Sequence, residues 1–239
     1  MSNRVQILST GFVGSDLVSN ALAQDIMIDE IPFIRIEPIT NDILKDKISR
    51  VLSQSVTAVF TSANSVNQLA NYITGPVPWS IYCIGNATQK GAVKIFGHER
   101  ITGTGMDAKQ LAQVIINDKV TSIVFFCGDH RRDELPELLS SQEVQVEEIE
   151  VYRTLLTPSA ITKKYDGVLF FSPTAVESFF SINNIAAGTS IFAIGKTTAD
   201  ALKQFIKTKV IIADTPGKEE MIRILIEHYK EPTTRVCNN

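Results

Sequence analysis

Five short turns carry the residues best suited to chemistry. They are Thr61-Ser62, Gly85-Asn86-Ala87-Thr88, Cys127-Gly128-Asp129, Ser172-Pro173 and Gly195-Lys196-Thr197-Thr198. Each follows an apolar run and leads into a helical pattern. The free N–H groups and dipole of a helix N-terminus favour an anion. Small residues let such a ligand approach the backbone. Serine, threonine and asparagine are also preferred as helix caps whatever the function, so any one turn alone is better explained by capping. Five of them at strand ends favour a cleft that holds several anionic groups.

A second feature is the stretch Glu147 to Thr154, Glu-Glu-Ile-Glu-Val-Tyr-Arg-Thr, which alternates polar and apolar residues like a strand with one wet face. Tyr152 within it is either an ordinary strand aromatic or, if the strand crosses between two lobes, a phenol at the mouth of their cleft. Glu147, Glu148 and Glu150 read as the solvated face of that strand. Arg131 and Arg132 suit carboxylates, or a solvated helix start.

Other chemistries lack their motifs. No Gly-x-x-x-x-Gly-Lys-Ser/Thr loop is present, and no Gly-x-Gly-x-x-Gly follows the first strand. His98, His130 and His228 are far apart, and Cys83, Cys127 and Cys237 have no zinc or redox spacing, so no metal is expected. No serine has a nucleophile-elbow context. A net charge of −3 argues against a general nucleic-acid binder. No apolar run approaches a membrane span of about 20 residues. The N-terminus lacks the apolar region of a signal peptide, so a cytoplasmic protein with reduced Cys83 and Cys127 is expected.

The elements that position these turns form an alternating series. With 44% hydrophobic and 21% charged residues, the chain has a globular composition and can bury substantial cores. Strands are expected at Val5–Ser9, Ile34–Glu37, Thr57–Thr61, Ile81–Ile84, near Arg100–Thr102, at Ser122–Phe126, Gly167–Phe171, Ser190–Ile194 and Lys209–Ala213. Helices are expected at Phe12–Ala23 with Ser15 or Asp16 as cap, at Asp42–Ser53, and from Ser62, Gly85, Asp107, Arg132, Ser172, Gly195 and Gly217 onward. Alternating strands and helices predict parallel α/β sheets. The tail beyond Pro232 has little to pack and is expected to be disordered.

The series also repeats itself. Phe60-Thr61-Ser62 matches Phe170-Phe171-Ser172 at an offset of 110 residues. Val66 and Val176, and Ile84-Gly85-Asn86-Ala87-Thr88 and Ile194-Gly195-Lys196-Thr197-Thr198, match at the same offset. The expected fold is therefore two similar α/β lobes, each a parallel sheet flanked by helices, joined by a two-stranded antiparallel linker. Residues 1–33 plus 155–239 make one discontinuous domain, 37–149 an inserted one, and 34–37 and 149–154 the linker strands. Two lobes so joined should hinge. A monomer is expected, since no apolar stripe is left over.

These stretches, with Cys127-Gly128-Asp129-His130-Arg131-Arg132-Asp133-Glu134-Leu135-Pro136 and Val151-Tyr152-Arg153-Thr154, resemble the uroporphyrinogen-III synthase family across most of the chain. Two places depart from the family pattern. Ser9-Thr10-Gly11 stands where a basic residue is frequent, and Lys196 where a proline is common. The resemblance implies a lyase of tetrapyrrole (heme) biosynthesis that uses no cofactor. Its substrate is hydroxymethylbilane, which bears eight carboxylates, and its product is uroporphyrinogen III. The reaction loses the terminal hydroxyl as water, attacks ring D through a spiro intermediate, and recloses with ring D inverted. The family's tyrosine maps to Tyr152, as a donor to the departing hydroxyl. Substrate contacts map to Thr61, Ser62, Asn86, Ala87, Thr88, Cys127, Gly128, Arg131, Ser172, Pro173, Lys196, Thr197 and Thr198. A transient contact with hydroxymethylbilane synthase is the one protein partnership it raises. The rival reading is a non-catalytic two-lobed protein that binds an anionic ligand.

Overall fold

The computed structural model describes residues 4–230. In chain order the elements begin with β1 (Val5–Ser9), α1 (Ser15–Leu22), β2 (Ile26–Glu30), β3 (Ile34–Pro38) and α2 (Asp42–Leu52). Next come β4 (Thr57–Phe60), α3 (Ala63–Ala70), β5 (Ser80–Ile84), α4 (Ala87–Phe96) and β6 (Ile101–Gly105). Then follow α5 (Ala108–Asn117), β7 (Ser122–Gly128), α6 (Glu134–Ser140) and β8 (Gln145–Leu156). The series closes with β9 (Gly167–Phe170), α7 (Pro173–Phe180), β10 (Ser190–Ala193), α8 (Lys196–Leu202), β11 (Val210–Ile212) and α9 (Lys218–Lys230). The tail beyond Pro232, with Cys237, lies outside the described residues. No helix among those described is long and apolar enough to cross a membrane.

The chain divides into two compact units. A middle unit runs from Ile36 to Thr154, and a terminal unit takes the described residues up to Arg35 and from Leu155 onward. The terminal unit holds a five-stranded sheet in the order β11-β10-β9-β1-β2, with every neighbouring pair parallel. The six-stranded sheet of the middle unit runs β3-β8-β7-β4-β5-β6, parallel from β8 to β6. The two orders correspond. In each sheet the first repeated strand (β4 or β9) is flanked on one side by the next two strands of the repeat. On its other side lies a strand–helix–strand pair, β7-α6-β8 in one unit and β1-α1-β2 in the other. The terminal unit draws that pair from the start of the chain.

Side-chain alternation explains why both sheets are covered on two faces. On β9, Val168 and Phe170 enter one core with Phe179 of α7 and Leu202 of α8, while Leu169 enters another with Met221 and Leu225 of α9. On β7, Val124 and Phe126 pack with Trp79 and Phe96, while Ile123, Phe125 and Cys127 pack with Leu111 and Leu139 of α5 and α6. Strands buried on both faces read as continuous apolar runs, as Ser122–Cys127 does. Each fully buried Phe or Leu contributes roughly 1.5–3 kcal/mol, so the helix faces are held by burial rather than by helix propensity.

Three expectations need adjustment. The first helix starts at Ser15, with Gly14 as N-cap and no side-chain cap. The Glu30 carboxylate at the end of β2 accepts from the N–H groups of Val13 and Gly14, so the approach to the helix is satisfied from the neighbouring strand. Cys127 and Gly128 belong to β7, not to a turn, and α6 begins at Glu134 rather than Arg132. Finally, β8 pairs with β7 from Gln145 to Tyr152, so the stretch expected as a linker is also a full sheet strand.

Candidate functional site

The carboxyl ends of parallel strands are where ligands bind in such sheets, and each unit presents a matching set there. In the middle unit Ser62 caps α3, its hydroxyl accepting from the Asn64 N–H at 3.2 Å. In the terminal unit Ser172 caps α7, accepting from the Ala175 N–H at 3.0 Å, with Pro173 in the first turn. Thr61 is half-buried beside Ser62.

The second repeated turn also matches. Asn86 and Ala87 lie ahead of and at the start of α4, as Lys196 and Thr197 lie at the start of α8; all four stand at the surface. Behind them Thr88 and Thr198 are buried, at 6% and 3% exposure. The accessible backbone of these turns is therefore better placed than the threonine side chains to meet a ligand. Asn86 holds φ 62° and ψ −124°, a region that side-chain-bearing residues rarely occupy and that costs on the order of 1–3 kcal/mol. Lys196 lies at the N-terminus of α8, where a cation gains nothing from the helix dipole, and its ammonium reaches Asp200 at 3.4 Å.

Cys127 and Gly128 are buried strand residues, and burial pushes the Cys127 thiol up to about 12. A thiol so placed stays protonated and unreactive. Arg131, expected to meet a substrate carboxylate, already holds two from its own unit, those of Glu148 and Asp133. Glu147 pairs with Arg50. Two of the three strand glutamates are thus ion-paired rather than simply solvated.

Tyr152 is mostly core. It is 9% exposed and packs in the cluster that holds Trp79, Phe126 and Val151. Its hydroxyl environment sets it apart. Tyr82 donates to Asp118 at 2.7 Å and Tyr165 to Asp29 at 2.8 Å. Tyr229 donates to the Asp166 carbonyl at 2.7 Å and Tyr72 to the Ile39 carbonyl at 3.2 Å. The fifth tyrosine, Tyr152, has the side chains of Ser62 and Asn64 as its neighbours. Burial raises its pKa, hydrogen bonding to Ser62 and then Asn64 opposes the rise, and the nearby Cys127 and Asp129 add to it. The net rise keeps the phenol neutral at pH 7, which makes it a proton holder rather than a base.

Asn64 escapes sequence reasoning, and Asp129 is legible there only as part of a turn. Asn64 is the second helical residue of α3 and has no motif to mark it. Asp129 follows β7, and its carboxylate accepts from the Thr154 N–H at 2.9 Å while its own N–H donates to the Tyr152 carbonyl at 3.2 Å. Among the described residues, no cluster of three or more His, Cys, Asp or Glu side chains could hold a metal.

Parallel sheets covered on both faces, with paired serine-capped and main-chain-exposing turns at their carboxyl ends, define an α/β protein suited to an anionic ligand. The chain belongs to the HEM4 family, uroporphyrinogen-III synthase HemD, whose model matches residues 15–223. Solved structures share the fold, two of them as follows. A mutant uroporphyrinogen III synthase from the extremely thermophilic bacterium Thermus thermophilus is 16% identical, with a TM-score of 0.64 over 95% of this chain and 100% of that one. The uroporphyrinogen-III synthetase from Helicobacter pylori is 12% identical, with a TM-score of 0.63 over 94% and 99%. The chain is accordingly a lyase-type cyclase of heme biosynthesis, with hydroxymethylbilane as substrate and uroporphyrinogen III as product.

Proposed function

We propose that Tyr152 assists loss of the substrate's terminal hydroxyl, by hydrogen bond or proton, while the repeated turns hold its carboxylates. The observation that carries this is the Tyr152 hydroxyl beside Ser62 and Asn64, where the other four tyrosines donate to carboxylates or carbonyls. A neutral phenol with a raised pKa retains the proton that departing water needs. Loss of water leaves an azafulvene cation, and the spiro route to the inverted ring then depends on how the chain is held. Holding is positional catalysis and asks for no strong acid or base.

In this proposal Ser62, Asn86 and Ala87 in the middle unit, and Ser172, Lys196 and Thr197 in the terminal unit, receive substrate carboxylates. Main-chain donors dominate, with Thr88 and Thr198 supporting from behind. Lys196 supplies a positive charge where the family commonly has a proline. The wider layout belongs to the same proposal: a discontinuous domain, an inserted one, and an antiparallel β3–β8 connection. Hydrogen bonds from Thr157 N–H to the Phe33 carbonyl and from Ile39 N–H to the Val151 carbonyl support opposed strand directions, since the partner numbers run in opposite senses. A cytoplasmic setting, with substrate passed on by hydroxymethylbilane synthase, is also part of it.

The test is Tyr152→Phe assayed with hydroxymethylbilane, followed by oxidation and separation of the isomers. Turnover should fall roughly 100- to 10,000-fold, the range for loss of a general acid. The spontaneous type I isomer should rise in proportion. Turnover within a factor of two or so of wild type would remove the phenol from the mechanism, since even a neutral hydrogen bond is worth about that much.

A further inference from the structure

We propose that Gly128 and Asp129 are positioning residues for the Tyr152 phenol. Gly128 leaves room for the ring, and Asp129 pins the strand that carries it. The inference rests on the catalytic reading of Tyr152.

Gly128 is the last residue of β7 and still pairs with β8, and a glycine in a paired strand often marks a bulge or a close approach of another group. Backbone conformation is not the reason here. The glycines with left-handed φ are Gly14, Gly97 and Gly188, and Gly128 is not one of them, so alanine can adopt its conformation. The reason is space. A Cβ at Gly128 would lie 2.4 Å from both Cε2 and Cζ of Tyr152 and 2.8 Å from its hydroxyl oxygen. These are the atoms at the reactive end of the ring, so a methyl group there must push the phenol aside.

A β-bulge puts the ring in that place. Cys127 is opposite Glu150 and Gly128 is opposite Tyr152, which leaves Val151 without a partner residue on β7. Simple alternation would send Val151 and Tyr152 to opposite faces. The extra residue brings both into the same core, where Ile149 also packs. Bulges re-aim side chains in this way. Beyond the bulge Asp129 holds β8 at two points, donating its N–H to the Tyr152 carbonyl at 3.2 Å and accepting the Thr154 N–H at 2.9 Å. The carboxylate thus takes over where the main-chain ladder ends.

The experiment is a pair of double-mutant cycles on the full chain: Gly128→Ala and Asp129→Ala, each alone and with Tyr152→Phe. Displacing the phenol should lower kcat about 10- to 100-fold for Gly128→Ala, in line with the cost of misplacing a catalytic group by about 1 Å. KM should move far less. In the Tyr152→Phe background neither substitution should lower kcat further, because the group they position has already been removed. Losses that multiply in that background would make both residues merely structural and overturn the proposal. So would wild-type kcat in both single variants while Tyr152→Phe is impaired, and that outcome would leave the catalytic role of Tyr152 standing. Full turnover in Tyr152→Phe would instead sink the reading of the phenol, and this inference with it. If Gly128→Ala does not fold, the Asp129→Ala cycle decides by the same criteria.

Discussion

Ser62 and Ser172 occupy the same place in the repeat, and Ser62 stands beside the phenol of its own unit, which allows a structural role to be separated from a chemical one. Ser62→Ala and Ser172→Ala each remove one helix cap, with acceptor distances of 3.2 and 3.0 Å. Loss of a serine cap costs about 1 kcal/mol, which for units of this size lowers the unfolding midpoint by about 3–5 °C. The two variants should therefore be destabilised similarly, Ser172→Ala slightly more because its bond is shorter. Turnover should diverge. Ser62→Ala also removes a hydrogen-bonding neighbour of Tyr152, worth about 0.5–1.5 kcal/mol, or about a 2- to 12-fold lower kcat. Ser172→Ala should change KM and leave kcat nearly alone.

Ser62→Asp sharpens the comparison. Aspartate caps a helix as well as serine, so the midpoint should recover. Its charge, however, would bind the phenol proton tightly and raise the Tyr152 pKa further, so kcat should stay low. Melting curves and steady-state assays of the three variants provide the comparison. Equal kcat losses in Ser62→Ala and Ser172→Ala, or recovery of kcat with the midpoint in Ser62→Asp, would refute the link between this cap and the phenol.

Three further outcomes follow from the same geometry. Thr88→Val and Thr198→Val preserve shape in buried sites and should raise KM about 2- to 10-fold, the value of one hydrogen bond; a larger fall in kcat than rise in KM would reject a supporting role in binding. Because Tyr152 must be protonated to donate and its pKa is raised above 10.0, chiefly by burial, kcat should stay flat up to about pH 9, below the ordinary tyrosine range. An alkaline limb below that pH which disappears in Tyr152→Phe would contradict the assignment. Asp29 has its pKa lowered below 3.8 chiefly by the Lys163 hydrogen bond, so its contribution is present above pH 3.8 and is lost as pH falls through the lowered value. The pair is more than a third exposed, so screening holds that contribution under about 1 kcal/mol. Acid unfolding of Lys163→Ala should be separate from wild type above pH 3.8 and converge with it as pH falls through the lowered Asp29 value.

The repeat is legible because it rests on short-range rules. Ser62 and Ser172 signal helix starts through capping, Pro173 through its missing N–H, and Val66 and Val176 through the helical period. The burial of Thr88 and Thr198 is not legible: both read as substrate contacts in the sequence, and only the packing of the helices on the sheets puts them behind the exposed residues of their turns. The start of the first helix is not legible, because Glu30, which satisfies the donors before it, comes from the next strand. The strand character of Cys127 and Gly128 is hidden for a related reason: glycine before aspartate is ordinary turn chemistry, and only pairing with β8 overrides it.

The seat of the phenol is illegible for a deeper reason. In Glu147–Thr154 the alternation places Val151 and Tyr152 on opposite faces, and any reader of the pattern must conclude so. One register shift against β7 cancels that conclusion, and a shift is a property of two strands, not of either sequence. Gly128 compounds the difficulty, because its significance is an atom it lacks, opposite a ring on another strand. Tyr152 can thus be a core aromatic by burial and a candidate catalyst by its hydroxyl neighbours at once. The two descriptions conflict only if the ring and its oxygen share one environment. Here the ring lies against Gly128 and the apolar cluster while the oxygen meets Ser62 and Asn64. A buried ring fixes the direction of the O–H more firmly than an exposed one would, and fixed direction is what a positional mechanism requires of its donor.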